Sequence, residues 1–242
     1  MTDENLPVSW EDKMALEARE GAALERPSIS TISLKSGMIS YMGQLVPENK
    51  LECIVVASMH ENVIYGGDYD PDNPQPPVCW AFSPNGNLAP IAEDVGEPIS
   101  ETCEDCPNME WGSAPGKSRG KACKEIRRLA LIPSTAQDLS NVEMAMLKVP
   151  VMSVKNWSTY VNTVSSLYKR PVWGIKTIIS TVPDPKSQFR VTFQAGELLP
   201  DELLGAVNSK IELAYMMLKT PYDLSGQSEQ VEEAPEKGKR KY

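Results

Sequence analysis

The stretch CEDCPNMEWGSAPGKSRGKACKEIRR, residues 103–128, decides how the rest of the chain is read. Its segment GSAPGKS (112–118) comes close to the phosphate-cradling loop of nucleotide hydrolases, which needs glycine, four residues, then Gly-Lys-Ser/Thr. Counted back from Gly116-Lys117-Ser118, the first glycine belongs at 111. That position is Trp111, and the glycine stands one residue late, at Gly112. The context disagrees as well: such a loop succeeds a buried strand and opens a helix, whereas CEDCPNMEW is no strand and Cys123 interrupts the residues after the lysine. A nucleotide pocket is excluded on both counts. There remain three of the chain's five cysteines beside a dense run of cations.

Cys103-x2-Cys106 is a metal knuckle, a spacing that lets two thiolates bite one ion. Cys79 upstream and Cys123 downstream complete a tetrahedral set with gaps of 23, 2 and 16 residues. Zinc accepts four thiolates, and a closed four-ligand site is structural rather than catalytic. A single CxxC is a weaker signal than a pair of them. The competing readings are disulfides, disfavoured in a cytosolic chain, and free thiols, which usually sit among apolar residues. Cys53 in LECIVV fits that last description and is read as core; the other four lie in polar, proline-rich surroundings. His60, the one histidine, is an alternative ligand in place of Cys79. Gly112, Gly116 and Gly120 would let a sixteen-residue loop bring Cys123 back to the metal.

Working outward, residues 9–25 read as a helix with Ser9 as N-cap and Asp12 as an imperfect capping box. Residues 28–43 suggest two strands around Lys35-Ser36-Gly37. LECIVVASM (51–59) is continuous and β-branched, the pattern of a strand buried on both faces, and 62–66 extends it. From 66 to 126 periodicity vanishes. A structureless stretch of that length needs something to organise it, which again points to a metal. Strands return at 127–133 and 142–150. A helix comes next over 153–169, stopped by Pro171, and then a hairpin of 172–182 and 188–196 around Pro183-Asp184-Pro185. A second helix spans 200–222, and the tail from about 225 is polar and read as disordered.

This order predicts an α+β fold, mainly antiparallel: an OB-like Greek-key barrel with its helix between the third and fourth main strands. The expected domains are an N-terminal helical segment (1–26), the barrel core (27–224) with a zinc-binding insertion at about 66–126, and the tail (225–242).

With 242 residues, 41% of them hydrophobic and 24% charged, the composition is that of a soluble globular chain. No apolar run reaches the roughly 18–20 residues of a membrane span, and the acidic N-terminus is unlike a signal peptide, so a cytoplasmic location is expected. Catalysis lacks support, because one histidine limits acid–base chemistry. Asp68, Asp70 and Asp72 alternate as in a calcium loop, but Asn73 stands where glycine belongs and Cys79 where glutamate belongs.

The net charge of −9 opposes indiscriminate nucleic-acid binding, yet residues 117–128 hold six cations, Lys117, Arg119, Lys121, Lys124, Arg127 and Arg128, against one acid, Glu125. Trp80, Phe82 and Trp111 lie beside the cysteines; Tyr41, Tyr65, Tyr69, Trp173, Phe189 and Phe193 lie on or near strands. Cations interleaved with aromatics suit sequence-tolerant binding of a single strand, since every base has a face to stack. Trp111, Tyr41 and Trp173 are the expected stacking residues, and the six cations the expected phosphate contacts.

A barrel interrupted by a zinc knuckle resembles the single-stranded-DNA-binding, or helix-destabilising, proteins of large tailed phages. The segment PVCWAF…CEDCPNMEWGSAPGKSRGKACKEIRRLALIP (77–133) also resembles a group of phage-encoded proteins found among replication genes. The resemblance implies an OB-like fold and cooperative coating of single-stranded DNA, with self-association along it, in the cytoplasm of an infected bacterium. It further implies protection of that DNA or its presentation to replication or recombination proteins; the lack of a membrane-length apolar run argues separately for no membrane partner. Two features depart from it. Those proteins use one histidine with three cysteines, where this chain offers four cysteines. Their tails end in acidic residues, whereas QVEEAPEKGKRKY ends in Lys237, Lys239, Arg240 and Lys241. The expectation is therefore a non-enzymatic single-stranded-DNA-binding protein with a structural zinc. The alternative is a zinc-stabilised protein–protein adaptor, contacting a host or replisome component, without nucleic-acid binding. An accessory nuclease would need a carboxylate cluster that the sequence lacks.

Overall fold

The computed structural model describes residues 9–25, 29–67, 75–116, 119–136, 139 and 142–222. Lys117, Tyr69, the DYDPD carboxylates and the tail from 225 lie outside them. The chain divides into two units, Met1–Ser30 and Thr31–Tyr242. In the first, helix α1 (Trp10–Glu25) begins where expected, the Lys13 N–H donating to the Ser9 carbonyl at 3.1 Å. Trp10, Met14 and Leu16 are exposed on it.

The second unit is built on one mixed sheet. Its strands are β1 (Thr31–Ser33), β2 (Ser40–Tyr41), β3 (Gln44–Leu45), β4 (Lys50–Ile64), β5 (Cys79–Ser83), β6 (Lys124–Pro133), β7 (Ala145–Val149), β8 (Ile175–Asp184) and β9 (Gln188–Leu198). They run in the order β3-β2-β1-β7-β6-β4-β8-β9, with β5 added to β4. Only the β1–β7 pair is parallel among the described strands. The β4 strand organises the rest. One edge pairs β8 through residues 50–54 and β5 through residues 60–64; the other pairs β6 from Cys53 to Val63, with a bulge between Val55 and Ala57. A bulge bends a strand and increases its twist, so this long strand curls the sheet into a half-barrel.

The continuous IVVA run of β4 results from burial on both faces. Leu51, Cys53 and Val55 join Leu129, Leu131 and Leu147 on the concave side. There helix α3 (Val151–Thr163) and the π-helical turn after it, Val164–Tyr168, insert Trp157, Tyr160 and Val164. Ile54, Ala130 and Ile132 face the other way and are equally buried, beneath helix α5 (Ile211–Leu218), which packs on β4 and β6. The outer edge of β9 is capped by α3: Ser153 Oγ accepts the Val191 N–H at 2.8 Å, and Asn156 Nδ2 donates to the Val191 carbonyl at 2.8 Å. Across the mouth of the half-barrel, the turn Lys35–Gly37 touches β8 and β9. Gly37 is required there: φ is +75° and a Cβ would stand 3.2 Å from Phe189. Its carbonyl accepts bonds from Thr181 and, at 2.9 Å, from Asn49.

Three features differ from the sequence reading. The irregular stretch 66–126 contains a strand, β5. Between β5 and β6, the short α2 (Ala92–Val95) is the one α-helix among the described residues. The helix expected over 200–222 is two, α4 (Asp201–Asn208) and α5, broken where Ser209 Oγ bonds back to the Ala206 carbonyl and Lys210 Nζ reaches the Val142 carbonyl. The third is Arg128, expected to meet phosphate. It is 2% exposed, beneath α5. Its Nε and Nη2 donate to both oxygens of Glu61, itself 0% exposed, at 2.7 and 3.0 Å. Its Nη1 donates to the carbonyls of Leu218 and Thr220 at 2.9 and 2.7 Å, closing the end of α5. Phe82 lies under the guanidinium at 3.9 Å. The Tyr222 hydroxyl donates to Glu61 at 2.5 Å and accepts from Lys148 Nζ at 2.9 Å.

Removing one member of such a pair leaves a buried charge alone, at a cost of about 3–5 kcal/mol. Arg128→Met is expected to lower the unfolding free energy by about that amount in urea titrations. Glu61→Leu with Arg128→Met should recover more than half of the loss. Burial pushes Lys148 from its usual 10.5 down to about 8, opposed by Glu61. Between those values the unfolded chain holds a proton that the folded chain has released. Lys148 therefore makes stability rise with pH from 8 towards 10, by at most about 1.4 kcal/mol per pH unit. Lys148→Met should flatten that rise relative to the parent chain in parallel denaturation curves at pH 8, 9 and 10.

Candidate functional site

At the far end of β4 the strand alternation turns Asn62 and Ile64 toward the connection between β5 and β6. Cys79 pairs with Ile64 at the start of β5, and Cys123 directly precedes β6. The sheet thus brings the first and last of the four expected ligands side by side. The other two come from the connection itself. Cys103 is held by its N–H donating to the Leu88 carbonyl at 3.0 Å. A tight turn comes next, with the Met109 N–H donating to the Cys106 carbonyl at 2.9 Å.

Cys79, Cys103, Cys106 and Cys123 line one small cavity of about 20 Å³, together with Asn62, Trp80, Ile99 and Met109. A space of about 10–15 Å³ admits one water-sized sphere, so the cavity suits a single ion and no organic ligand. Among the described residues, no charged side chain lines it. All four are free thiols. Burial raises the pKa of Cys79, Cys103 and Cys123, the last to about 12, and the neighbouring sulfurs raise each of them further. Hydrogen bonding acts in the opposite direction on three of them, from the Ile99 backbone on Cys79, the Asn62 side chain on Cys103 and the Val63 backbone on Cys123. Among the described residues, no three His, Cys, Asp or Glu side chains stand in a ligating arrangement. The four cysteines share the lining of the cavity without standing as a ligand set. Cys53 is buried in the half-barrel core, as expected, and burial holds its thiol protonated. His60 does not line the cavity; its ring lies against Gly86.

The loop from Cys106 to Cys123 is pinned from within. Gly112 and Ala114 donate N–H groups to the Gly120 carbonyl at 3.0 and 3.1 Å, and the Cys123 N–H donates to the Asn108 carbonyl at 3.0 Å. Ser113 Oγ donates to the Asn108 and Glu110 carbonyls and accepts the Ala122 N–H at 3.0 Å. Gly112 sits at φ +89°, a conformation that glycine adopts without strain.

On this loop Trp111 is 80% exposed. Lys121 Nζ stands 5.5 Å from the centre of its ring and 2.7 Å from Glu125. Lys124 is exposed and bonds the Lys121 carbonyl at 2.8 Å; Arg119 is exposed. Arg127 is half-buried, its guanidinium on the Ile126 carbonyl at 2.8 Å. Of the other expected stacking residues, Tyr41 is half-buried against the half-barrel core and Trp173 is half-buried in the turn before β8. The surface formed by Trp111, Lys121, Lys124 and Arg119 is thus the open part of the expected site, and Arg128 belongs to the interior.

Sequence reasoning missed Asn62, Glu61 and Ser113. The first two carried a signal, as adjacent polar residues inside the apolar run of a long strand (MHENVI, 59–64). Ser113 carried none. Among the described residues, no helix is long and apolar enough to cross a membrane. No protein-family model, curated protein or solved structure matches the chain.

Proposed function

We propose that the chain is a non-enzymatic single-stranded-DNA-binding protein of OB-like design, with a structural zinc held by Cys79, Cys103, Cys106 and Cys123. The observation that carries this reading is an exposed tryptophan beneath a lysine, on a loop closed at both ends by cysteines that face one cavity. A tryptophan 80% exposed contributes little to packing where it stands. A base stacking on such a ring gains about 1–3 kcal/mol.

Strand connectivity supports the OB-like part. The bent strand β4 pairs both β6 and β8, β7 comes after β6, α3 lies between β7 and β8, and β8–β9 form a hairpin. That is the five-stranded Greek-key order with its helix after the third strand; β1 lies parallel to β7 in place of a closing β9. In OB domains, oligonucleotides meet the face of strands two and three and the loops joining strands one to two and four to five. Here the convex face of β6 carries α5, which leaves the two loops, and of these the connection from β4 to β6 carries the exposed Trp111 and the cations Arg119 and Lys121. The zinc would hold that connection rigid, and the chemistry it supplies is structural. Lys121, Lys124 and Arg119, with Lys117 beside them in sequence, would meet phosphates while Trp111 stacks a base.

Fluorescence anisotropy with labelled oligo-dT at low salt should show binding, with log K falling by about 0.7 per neutralised phosphate as log salt rises. Trp111→Ala should weaken it by about 1–3 kcal/mol without changing the salt slope. Replacing Lys121 and Lys124 with Gln should make the slope shallower. No affinity at about 20 mM salt, where counterion release favours binding most, would support the adaptor reading, in which the same exposed surface serves a protein partner. Metal analysis should find one zinc per chain. Cys106→Ser should reduce it and open residues 84–123 to protease, while equal protease resistance with and without chelator would count against the zinc.

A further inference from the structure

Arg127 and Arg128 are neighbours on β6 and therefore face opposite sides of the sheet. Arg128 spends its donors on Glu61 and on the end of α5. Arg127 is served differently. A guanidinium carries five N–H donors. Among the described residues, that of Arg127 gives Nη1 to the Ile126 carbonyl at 2.8 Å and pairs with no carboxylate. It lies on the concave side, one strand step beyond the core residue Leu129, and pairs with another core residue, Val149 of β7. Directly opposite it on β4 stands His60, which pairs on its other side with Ser83 of β5. Both side chains are half-buried. The turn after β5 backs the imidazole, since a Cβ at Gly86 would stand 3.6 Å from its Cε1. Among the described residues the imidazole makes no hydrogen bond. Glu125, the acid two residues along on the same face, is tied to Lys121 at 2.7 Å. Burial lowers the pKa of His60, and the guanidinium opposite lowers it further. The pair is an electropositive notch whose donors no acid of the described residues takes up.

We propose that His60 and Arg127 form a second phosphate site, at which the backbone of a single strand passes from the cysteine loop to the concave end of the half-barrel. This rests on the DNA reading above and adds the direction the strand takes. The path is continuous. Lys121 stands 5.5 Å from the centre of the Trp111 ring and holds Glu125. Arg127 follows Glu125 on the same face, about 6.6 Å along the strand. That spacing is of the order of one extended nucleotide, so a phosphate at Lys121 and the next at Arg127 fit one backbone. A guanidinium meets a phosphate with two parallel hydrogen bonds. An imidazole N–H on the facing strand supplies a third, whether or not the ring is charged. The opposite side of the same strands is covered by α5.

The chain has one histidine, so the imidazole proton signals of the full-length protein in NMR report on this site alone and need no substitution. Oligo-dT of about 8–16 nucleotides, added at low salt, should move the His60 signals in step with the rise in anisotropy. Inorganic phosphate at the same ionic strength should leave them in place. Arg127→Gln should make the fall of log K with log salt shallower by about 0.7, the share of one phosphate. Arg127→Lys keeps the charge but loses the two-pronged contact, so it should keep the slope and still weaken binding. Lys50→Gln, at the other end of β4, should match the parent in both. A parent chain without affinity for oligo-dT overturns the DNA reading and this site with it. A parent chain that binds overturns this site alone if the His60 signals stay still or if Arg127→Gln keeps the parent slope. Signals that move as far with inorganic phosphate as with oligo-dT would make the notch a site for the free anion and overturn the strand path.

Discussion

The bidentate ion pair between Glu61 and Arg128 is where four parts of the chain are forced into one arrangement. Glu61 belongs to β4 and Arg128 to β6, both essentially without solvent contact. The guanidinium lies on Phe82 of β5 and uses its remaining donors on the last carbonyls of α5. Tyr222 covers Glu61 and packs edge-on against Trp80 at 5.3 Å. A buried pair of this kind contributes little net stability compared with apolar side chains of the same volume, but an unpaired charge in the same place is very costly. A one-residue slip of β6 against β4 would swing Arg128 to the concave side, where Leu129 and Leu131 pack against α3. The pair therefore fixes the register of the two strands that lead into the knuckle.

That constraint explains which parts of the molecule were legible in the sequence. Elements whose burial obeys a simple period are readable: β4 from its apolar run, α3 from its 3-4 spacing, and the β8–β9 hairpin. In the last, Asp184 accepts N–H bonds from Lys186 and Ser187 at 3.1 and 2.9 Å to form the turn. The convergence of four cysteines on one cavity is legible from spacing alone, because a CxxC knuckle and two flanking thiols admit few closed arrangements. Other features depend on tertiary contacts with no local signature. The β5 strand is short and proline-flanked, and it is a strand because β4 overhangs there. The parallel β1–β7 pair joins residues more than a hundred positions apart. Arg128 sits in a basic run that looks uniform, and nothing local distinguishes it from Arg127; only pairing with β4 turns one inward and leaves the other half-exposed.

Successive residues of β4 thus take on different tasks because strand side chains alternate. Glu61 points to the convex side and, through Arg128, locks the C-terminal helix; Asn62 points to the concave side, lines the cysteine cavity and donates to Met109 Sδ at 3.4 Å. Convex and concave surfaces are tied through one stretch of backbone. Anything that shifts this end of β4 disturbs the closure of α5 and the floor of the cysteine cavity together. The knuckle is consequently less an appendage than an extension of the sheet, anchored by paired strands on both sides.

A chain of net charge −9 meets a polyanion through such a feature or not at all. At physiological salt, charges more than about 8 Å apart are largely screened, so the acids elsewhere on the surface matter less than those on the loop itself. Beside the loop, at the start of β6, Glu125 holds Lys121 at 2.7 Å. Lys121 is mostly covered and Glu125 nearly half exposed, and pairs of that kind are worth about 0–1 kcal/mol. In the reading proposed above, a phosphate would replace the carboxylate at little cost, while Lys121 keeps its place 5.5 Å from the Trp111 ring. The near-match to a nucleotide loop at 112–118 is explained by the same economy of parts. Glycines let the loop turn and lysines supply charge, as they would around a nucleotide. With cysteines at both ends instead of a strand and a helix, the loop lacks the setting in which such a loop encloses a phosphate. Its exposed cations, Arg119 and the flanking Lys124, are where the single strand proposed above would pass.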